Sequence, residues 1–178
     1  MEIEMSPVKK IAVAPMSMLS HIRKNHAMEH ATIHILTKSM PGVSFAGYSL
    51  IKGYWIYGKA ELQDIQKAAE MAHARLKNGE RHLAVHPNCG TNIAMTGLCT
   101  AAASMLALAA EGDDDSDFNR FSALTSAGLV GALFGRPLGP YMQKHITTDA
   151  DVKNLSIVSI NCSSLHGQPV FFIKTAID

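Results

Sequence analysis

The sequence predicts an α+β fold: a small, mostly antiparallel sheet with two amphipathic helices and an inserted apolar helical hairpin. Three features predict it. Two segments place apolar residues three and four apart, about five short runs are rich in β-branched and aromatic residues, and one region holds two uncharged runs in succession. The 178 residues suit a single domain, 1–178, in which 91–145 form the hairpin.

The elements follow in order. Residues 1–15 lack periodicity and read as an arm or a docked tail. Over 17–40 a helical face runs through Leu19, Ile22, His26, Glu29 and His30, Ile33, Leu36 and Met40, with Ser17 as the expected N-cap and Pro41-Gly42 as the stop. Segments 43–50 and 54–60 are expected strands joined by a bend near Lys52-Gly53. Segment 61–77 returns to helical spacing through Leu62, Ile65, Ala69, Ala72 and Leu76, and Asn78-Gly79 ends it. A short third strand is expected at 82–85. Two more, 155–162 and 169–177, close the chain and flank a loop at 163–167.

Between strands three and four lie the uncharged runs. The first, 91–110, has twenty residues and is just long enough to cross a bilayer core as a helix. The second, 121–135, has fifteen, and it could lengthen past Arg136 only through Pro137, Gly139 and Pro140. A helix-ending turn is therefore expected at 135–140. Gly131, Gly135 and Gly139 recur every four residues, a spacing that lets helices approach closely. The tip carries Glu111, Asp113, Asp114, Asp115 and Asp117 against Arg120, while Lys77, Arg81, Arg136 and Lys144 lie at the open end. Under the positive-inside rule a membrane hairpin would put its tip outside and the rest in the cytoplasm. The alternative is a hairpin buried in a soluble cytoplasmic oligomer.

Composition narrows the classes. Charged residues make up 17% of the chain and apolar ones 47%. Against a usual charged share of about 25%, this implies apolar surface hidden in a membrane, a homo-oligomer or a larger membrane complex. A net charge of +1, with no basic cluster interleaved with aromatics, gives no case for nucleic acid. Cys89, Cys99 and Cys162 are odd in number and form no CxxC pair, which suits a reducing compartment. The apolar stretch 11–14 is too short for a signal-peptide core.

The run His26-Ala27-Met28-Glu29-His30 carries the most chemistry. Histidines four apart on a helix sit one turn above each other and can reach one metal ion. Glu29 is placed to take a proton from metal-bound water. Both histidines fall in the apolar stripe, where buried rings and a carboxylate need several polar partners. A metal supplies them, and so would hydrogen bonds within a structural cluster. His34 continues the ladder as a rim or supporting residue, and His21 lies a turn before it. His73 and His82 show no pattern and read as surface residues.

The run resembles the H-x-x-E-H motif of the inverted zinc metallopeptidases. That resemblance covers five residues and implies that His26 and His30 bind zinc, that Glu29 is the general base, and that a later glutamate completes the site. Glu61, Glu70, Glu80 and Glu111 are the candidates, with Glu70 on a helix. By local context His86 is a stronger third ligand, with Cys89 three residues on, since His and thiolate both suit zinc. The same loop, His86-Pro87-Asn88-Cys89-Gly90, has a simpler use as a turn in which Asn88 or Thr91 caps the next helix. A thiol site at Cys89, with His86 as base, is a third possibility.

Taken together, NHAMEHAT at 25–32, HPNCGTN at 86–92 and GPYMQKHITTDADV at 139–152 resemble an uncharacterised family of small bacterial proteins, found chiefly in photosynthetic bacteria. The resemblance covers most of the chain and implies no activity, but it puts the first two blocks in one design. The expected function is a membrane-associated metalloprotein, a zinc-dependent hydrolase or peptidase. The alternative is a non-catalytic membrane-anchored accessory protein whose His/Glu cluster is structural.

Overall fold

Helix α1 runs Val8–Ser39 in the computed structural model, which describes residues 8–110 and 116–177, with side chains from residue 18 onward. The chain divides into two units, one formed by residues up to 85 with those from 146 onward, the other by 86–145. The expected arm at 1–15 and the cap at Ser17 are corrected for the described part, because the backbone is already helical from Val8. Residues 1–7, the Ser17 side chain and 111–115 in the acidic tip lie outside the described residues. Gly42 at φ 87 turns the chain out of α1, a conformation other residues adopt at a cost.

In the first unit, α1 is the central element. The sheet covers one side of it and α2 (Leu62–Lys77) another. Ala27, Met28, Ala31 and Leu36 are fully buried, as are the polar Asn25 and Thr32. On the α2 side, Ile65, Ala68, Ala69, Ala72 and Leu76 form the packing stripe, and small alanines let the two helices come close. Leu62, expected in that stripe, is exposed at the helix start.

The sheet contains β1 (Ala46–Leu50), β2 (Gly53–Tyr57), β3 (Leu155–Leu165) and β4 (Gln168–Ile177) in the order β1-β2-β4-β3, antiparallel throughout. Tyr54, Ile56, Phe171 and Ile173 face α1 and are buried. Burial holds the Tyr54 hydroxyl well above the ordinary tyrosine range, and it bonds Thr32 of α1 at 3.0 Å. Asn25 ties helix to sheet. Its amide donates to the carbonyls of Leu50 and Ile51 at 2.8 and 3.1 Å, and its oxygen accepts from the Thr175 hydroxyl at 2.7 Å.

Two expectations in this unit are corrected. The loop at 163–167 is instead a tight hairpin turn, because His166 and Gly167 both take positive φ, 50 and 76, and Leu165 pairs directly with Gln168. The strand expected at 82–85 is a 3-10 turn, Arg81–Ala84. The carbonyls of Ala84 and of the following Val85 accept from histidine side chains of α1, and the segment pairs with no strand among the described residues. Four strands result, and the hairpin segment lies between the second and third of them.

The second unit is built from α3 (Gly90–Ala110) and α4 (Asp117–Met142), packed antiparallel. Its packing inverts that of a soluble protein. The buried residues of α4 are Gly128, Gly131, Gly135 and Gly139, and no residue of α3 is buried. Large apolar side chains point outward instead: Leu106 is 73% exposed, Phe118 79%, Phe134 68% and Leu133 64%. A Cβ at Gly135 would stand 2.6 Å from the Thr96 Cα, and one at Gly131 would collide with the Cys99 carbonyl. The backbones therefore touch along the glycines.

The turn expected at 135–140 is overturned. α4 continues through Pro137 and Pro140 to Met142, and a π turn, Gln143–Thr147, follows. Gly139 rests against Asn92, and Gln143 donates to the Asn92 Oδ1 at 2.6 Å while accepting from the His86 backbone N–H at 2.8 Å. The Gly139 contact falls between the two prolines and the Gln143 bonds lie beyond both, and together they hold the last turns in the helix. Polar groups on the inner face of α3 also find partners: Thr96 and Thr100 donate back to the carbonyls of Asn92 and Thr96, and Ser104 donates to the Leu124 carbonyl. Among the described residues α3 is the helix long and apolar enough, by length and composition, to cross a membrane.

Gly135→Leu should force the helices apart and lower the unfolding free energy in detergent by ~1–3 kcal/mol, as overpacking does. Loss of helical circular dichroism with temperature measures it. An unchanged melting curve would mean that the helices do not pack along the glycines.

Candidate metal centre

The histidines of α1 bond backbone carbonyls in a consistent way. His26 Nδ1 lies 2.9 Å from the Thr147 carbonyl oxygen, and His30 Nδ1 lies 2.7 Å from that of Ala84. A carbonyl only accepts, so each Nδ1 carries a proton, and in the neutral ring each Nε2 carries the lone pair. This is the arrangement by which proteins orient imidazole for a metal: one nitrogen anchored as donor, the other basic. The rings are tilted by 60° with centroids 4.3 Å apart, and each offers one nitrogen within 4.8 Å of the other's. His30 is 2% exposed and His26 is half-buried.

The surrounding carbonyls come from two segments far apart in sequence. One is 84–85, the other 147–148. Arg23 donates to the Thr148 carbonyl at 3.2 Å and accepts from Asp149 through its own carbonyl at 3.0 Å. Lys24, buried, bonds the Asp151 carbonyl and pairs with Asp149 at 3.5 Å. The Thr147 hydroxyl is buried with no hydrogen-bond partner among the described residues. Below the pair, His21 bonds the Thr175 hydroxyl at 3.2 Å; burial first, and then the charge on Lys24, hold its pKa below the usual value.

Glu29 does not share that orientation. It is 5% exposed and accepts from Ser49 of β1 at 2.5 Å. Its side chain lies against Gly47, where a Cβ would come 3.0 Å from Glu29 Cγ. Gly47 is therefore the space into which the carboxylate fits. The sequence had no means of showing this, since it depends on which strand residue faces α1.

The other expected ligands separate. Glu70 lies on the exposed face of α2 and accepts from Gln66 at 2.9 Å; Glu61 is exposed at the start of that helix; Glu80 pairs with Arg75, which holds its carboxyl below the usual range. Glu111 lies outside the described residues. The later glutamate that the metallopeptidase resemblance requires is thus not brought to the pair among the described residues. His34 bonds the Val85 carbonyl through Nε2 at 2.8 Å, the opposite nitrogen from its two neighbours. His73, expected on the surface, is half-buried and lies 3.4 Å from the Val152 carbonyl, whereas His82 is exposed.

In the second unit, His86 Nδ1 accepts the Asn88 backbone N–H at 3.3 Å, so the ring turns into its own loop. The expected caps Asn88 and Thr91 are replaced by Cys89, whose carbonyl accepts from the Asn92 N–H at 2.9 Å and whose sulfur lies 3.5 Å from both the backbone nitrogen and the hydroxyl of Thr91. Asn92 closes the loop by donating to the carbonyls of His86 and Pro87 at 3.2 and 2.6 Å. Residues that sequence reasoning missed are Ser49, Gly47, Thr147 and the carbonyls of Ala84 and Val85. Backbone carbonyls are alike at every position, so no sequence signal marks them.

Glu29→Ala should cost ~1–3 kcal/mol by stranding the Ser49 donor, and Glu29→Gln, which keeps an acceptor oxygen, should cost less. Urea denaturation measures both. Equal losses would mean that the Ser49 bond is not what Glu29 contributes.

The family model described as a domain of unknown function, DUF6391, matches residues 21–160. An uncharacterised protein of Picosynechococcus sp. (strain ATCC 27264 / PCC 7002 / PR-6) is 33% identical over 171 residues, covering 88% of this chain and 80% of that protein. No solved structure matches the chain. The matched span takes in α1 from His21 on with its histidine ladder, the Cys89 loop and the whole apolar hairpin, and the chain belongs to the DUF6391 family.

Proposed function

We infer that this protein is a membrane-anchored metal-binding protein, with His26 and His30 as two ligands through Nε2. The observation that carries the reading is the shared Nδ1–H donation to the Ala84 and Thr147 carbonyls, which in the neutral rings makes Nε2 the ligating nitrogen of both. The buried Thr147 hydroxyl adds a polar group able to meet a metal-bound water. Imidazole ligands suit zinc among the common metals.

Membrane anchoring rests on the second unit. α3 has 21 residues and so spans roughly 31 Å, against a bilayer core of about 30 Å. Glycines inside and Leu/Phe outside is the packing that lipid favours, because there apolar side chains gain nothing by facing each other. The hydrolase reading is the less favoured form of the proposal. A general base must reach metal-bound water, and Glu29 is engaged with Ser49. The second reading, a non-catalytic accessory protein with histidines as structural glue, is favoured by the same carbonyl bonds, which would serve a clasp equally well.

Metal analysis separates the two. The full chain, purified without chelators, should carry about one zinc, and the double variant His26→Ala/His30→Ala should lose it; a parent without stoichiometric metal leaves the clasp reading. For the anchor, the full chain should float with phosphatidylcholine/phosphatidylglycerol vesicles and resist extraction by alkaline carbonate. A monodisperse monomer in detergent-free buffer would refute the anchor.

A further inference from the structure

The face of the sheet turned away from α1 is defined by the face turned toward it. Ser49 reaches Glu29 of α1, so its neighbours Tyr48 and Leu50 point the other way. Tyr54, Ile56, Phe171 and Ile173 are buried toward α1, which turns Trp55, Tyr57 and Phe172 outward. The register agrees: Tyr48 pairs with Trp55, and Trp55 with Phe172. The four rings adjoin in series. Tyr48 stacks on Tyr57 with centroids 6.1 Å apart, Tyr57 lies 6.4 Å from Trp55, and Trp55 lies 4.9 Å from Phe172. One aromatic surface thus crosses β1, β2 and β4.

The charge on this face has a single sign. Lys174 stands two residues beyond Phe172 on the same side of β4 and is exposed, and Lys52 is exposed in the β1–β2 turn. None of the four strands contains Asp or Glu, in a chain that has 15 of them. Strand β3 adds Ser159, Asn161 and Ser163, opposite Lys174, Phe172 and Val170. The solvated face of an antiparallel sheet is ordinarily polar, whereas Tyr48 is 48% and Leu50 43% exposed here. Tyr and Trp rings beside lysine, with no carboxylate, are the residue set of a membrane–water interface. There the rings sit at headgroup level and ammonium groups meet anionic lipid. A nucleic-acid strand would need a basic track along the rings, and the strands themselves carry Lys174 alone.

We propose that the outer face of the sheet is a lipid-contact surface: Tyr48, Trp55, Tyr57 and Phe172 enter the headgroup layer of an anionic phospholipid surface, and Lys174 meets its phosphates. The contact belongs wholly to the first unit. It goes beyond the anchor proposed above, which rests on α3 and α4, and a different measurement reads it.

Trp55 is the one tryptophan of the chain, so its emission reports this face alone. The test places the full chain in phosphatidylcholine/phosphatidylglycerol vesicles that contain phosphatidylcholine brominated near the headgroup. Bromine should quench Trp55, more strongly with phosphatidylglycerol than without it, and aqueous acrylamide should quench it little. Lys174→Gln should lower the ratio of lipid-bound to free face ~5-fold, the worth of one ammonium near an anionic surface. Tyr48→Glu, at an exposed position, should abolish the bromine quenching while circular dichroism stays unchanged. If that variant does not fold, Leu50→Glu is read in the same way.

Trp55 untouched by bromine and open to acrylamide overturns the proposal, because the face is then bare. Trp55 untouched by bromine yet shielded from acrylamide overturns it too, and leaves a second copy or another protein as the cover. Equal bromine quenching without phosphatidylglycerol removes the anionic partner and with it the proposal. The anchor is read apart from this. A chain stripped from the vesicles by alkaline carbonate after showing bromine quenching loses the anchor and keeps the face, and a carbonate-resistant chain without quenching keeps the anchor and loses the face.

Discussion

A helix enclosed by protein must satisfy every polar group it carries, and α1 carries many. Asn25, Glu29, His30 and Thr32 are all buried within two turns. Burying such groups without partners costs several kcal/mol in total, at ~1–3 kcal/mol each. The surrounding chain is shaped by that demand. Strand β1 presents Ser49 to Glu29 and a glycine beside it, the β1–β2 turn presents carbonyls to Asn25, and two irregular segments present theirs to the histidines. The segments at 84–85 and 147–148 lie outside the sheet and give their carbonyls to side chains of α1.

The same bonds bear on chemistry. A histidine held by a backbone carbonyl has its tautomer chosen, since the carbonyl accepts and never donates. Two histidines held through the same nitrogen present the same basic nitrogen in return. His34, held the other way, presents a different one. Ligand capacity along this ladder follows the choice of anchor, and spacing on the helix alone would rank the three alike. Glu29 makes the point from the other side. It is adjacent to His30 in sequence, yet one residue of helix turns it about 100° around the axis, where it meets β1.

The second unit is packed by a different rule. In water a two-helix hairpin would bury its Leu and Phe residues and expose its glycines. Here Gly128, Gly131, Gly135 and Gly139 form the seam, and Leu106, Phe118, Leu133 and Phe134 face outward. The hydroxyls of Thr96, Thr100 and Ser104 turn inward or back onto carbonyls, and Asn92 and Gln143 bond each other at the base. Pairing of these polar groups beneath an apolar coat supports the membrane-anchored reading proposed above. The two prolines late in α4 fit that setting, where neighbouring groups can compensate for a lost helix bond.

Patterns local in sequence are legible from the residues alone. The 3.6-residue period of the two amphipathic helices, the alternating strands, the uncharged runs and the glycine spacing all follow from side-chain chemistry acting over a few residues, and they suffice for the α+β class and for the hairpin. The His26-Glu29-His30 cluster is legible as a buried polar group in need of partners. What those partners are is not. Whether 82–85 pairs as a strand, whether α4 runs on through Pro137 and Pro140, and which way Glu29 points are decided by contacts between residues distant in the chain. A carbonyl at Ala84 or Thr147 reads like any other in the sequence. It becomes part of a site only when folding carries it to a histidine ring 54 or 121 residues away.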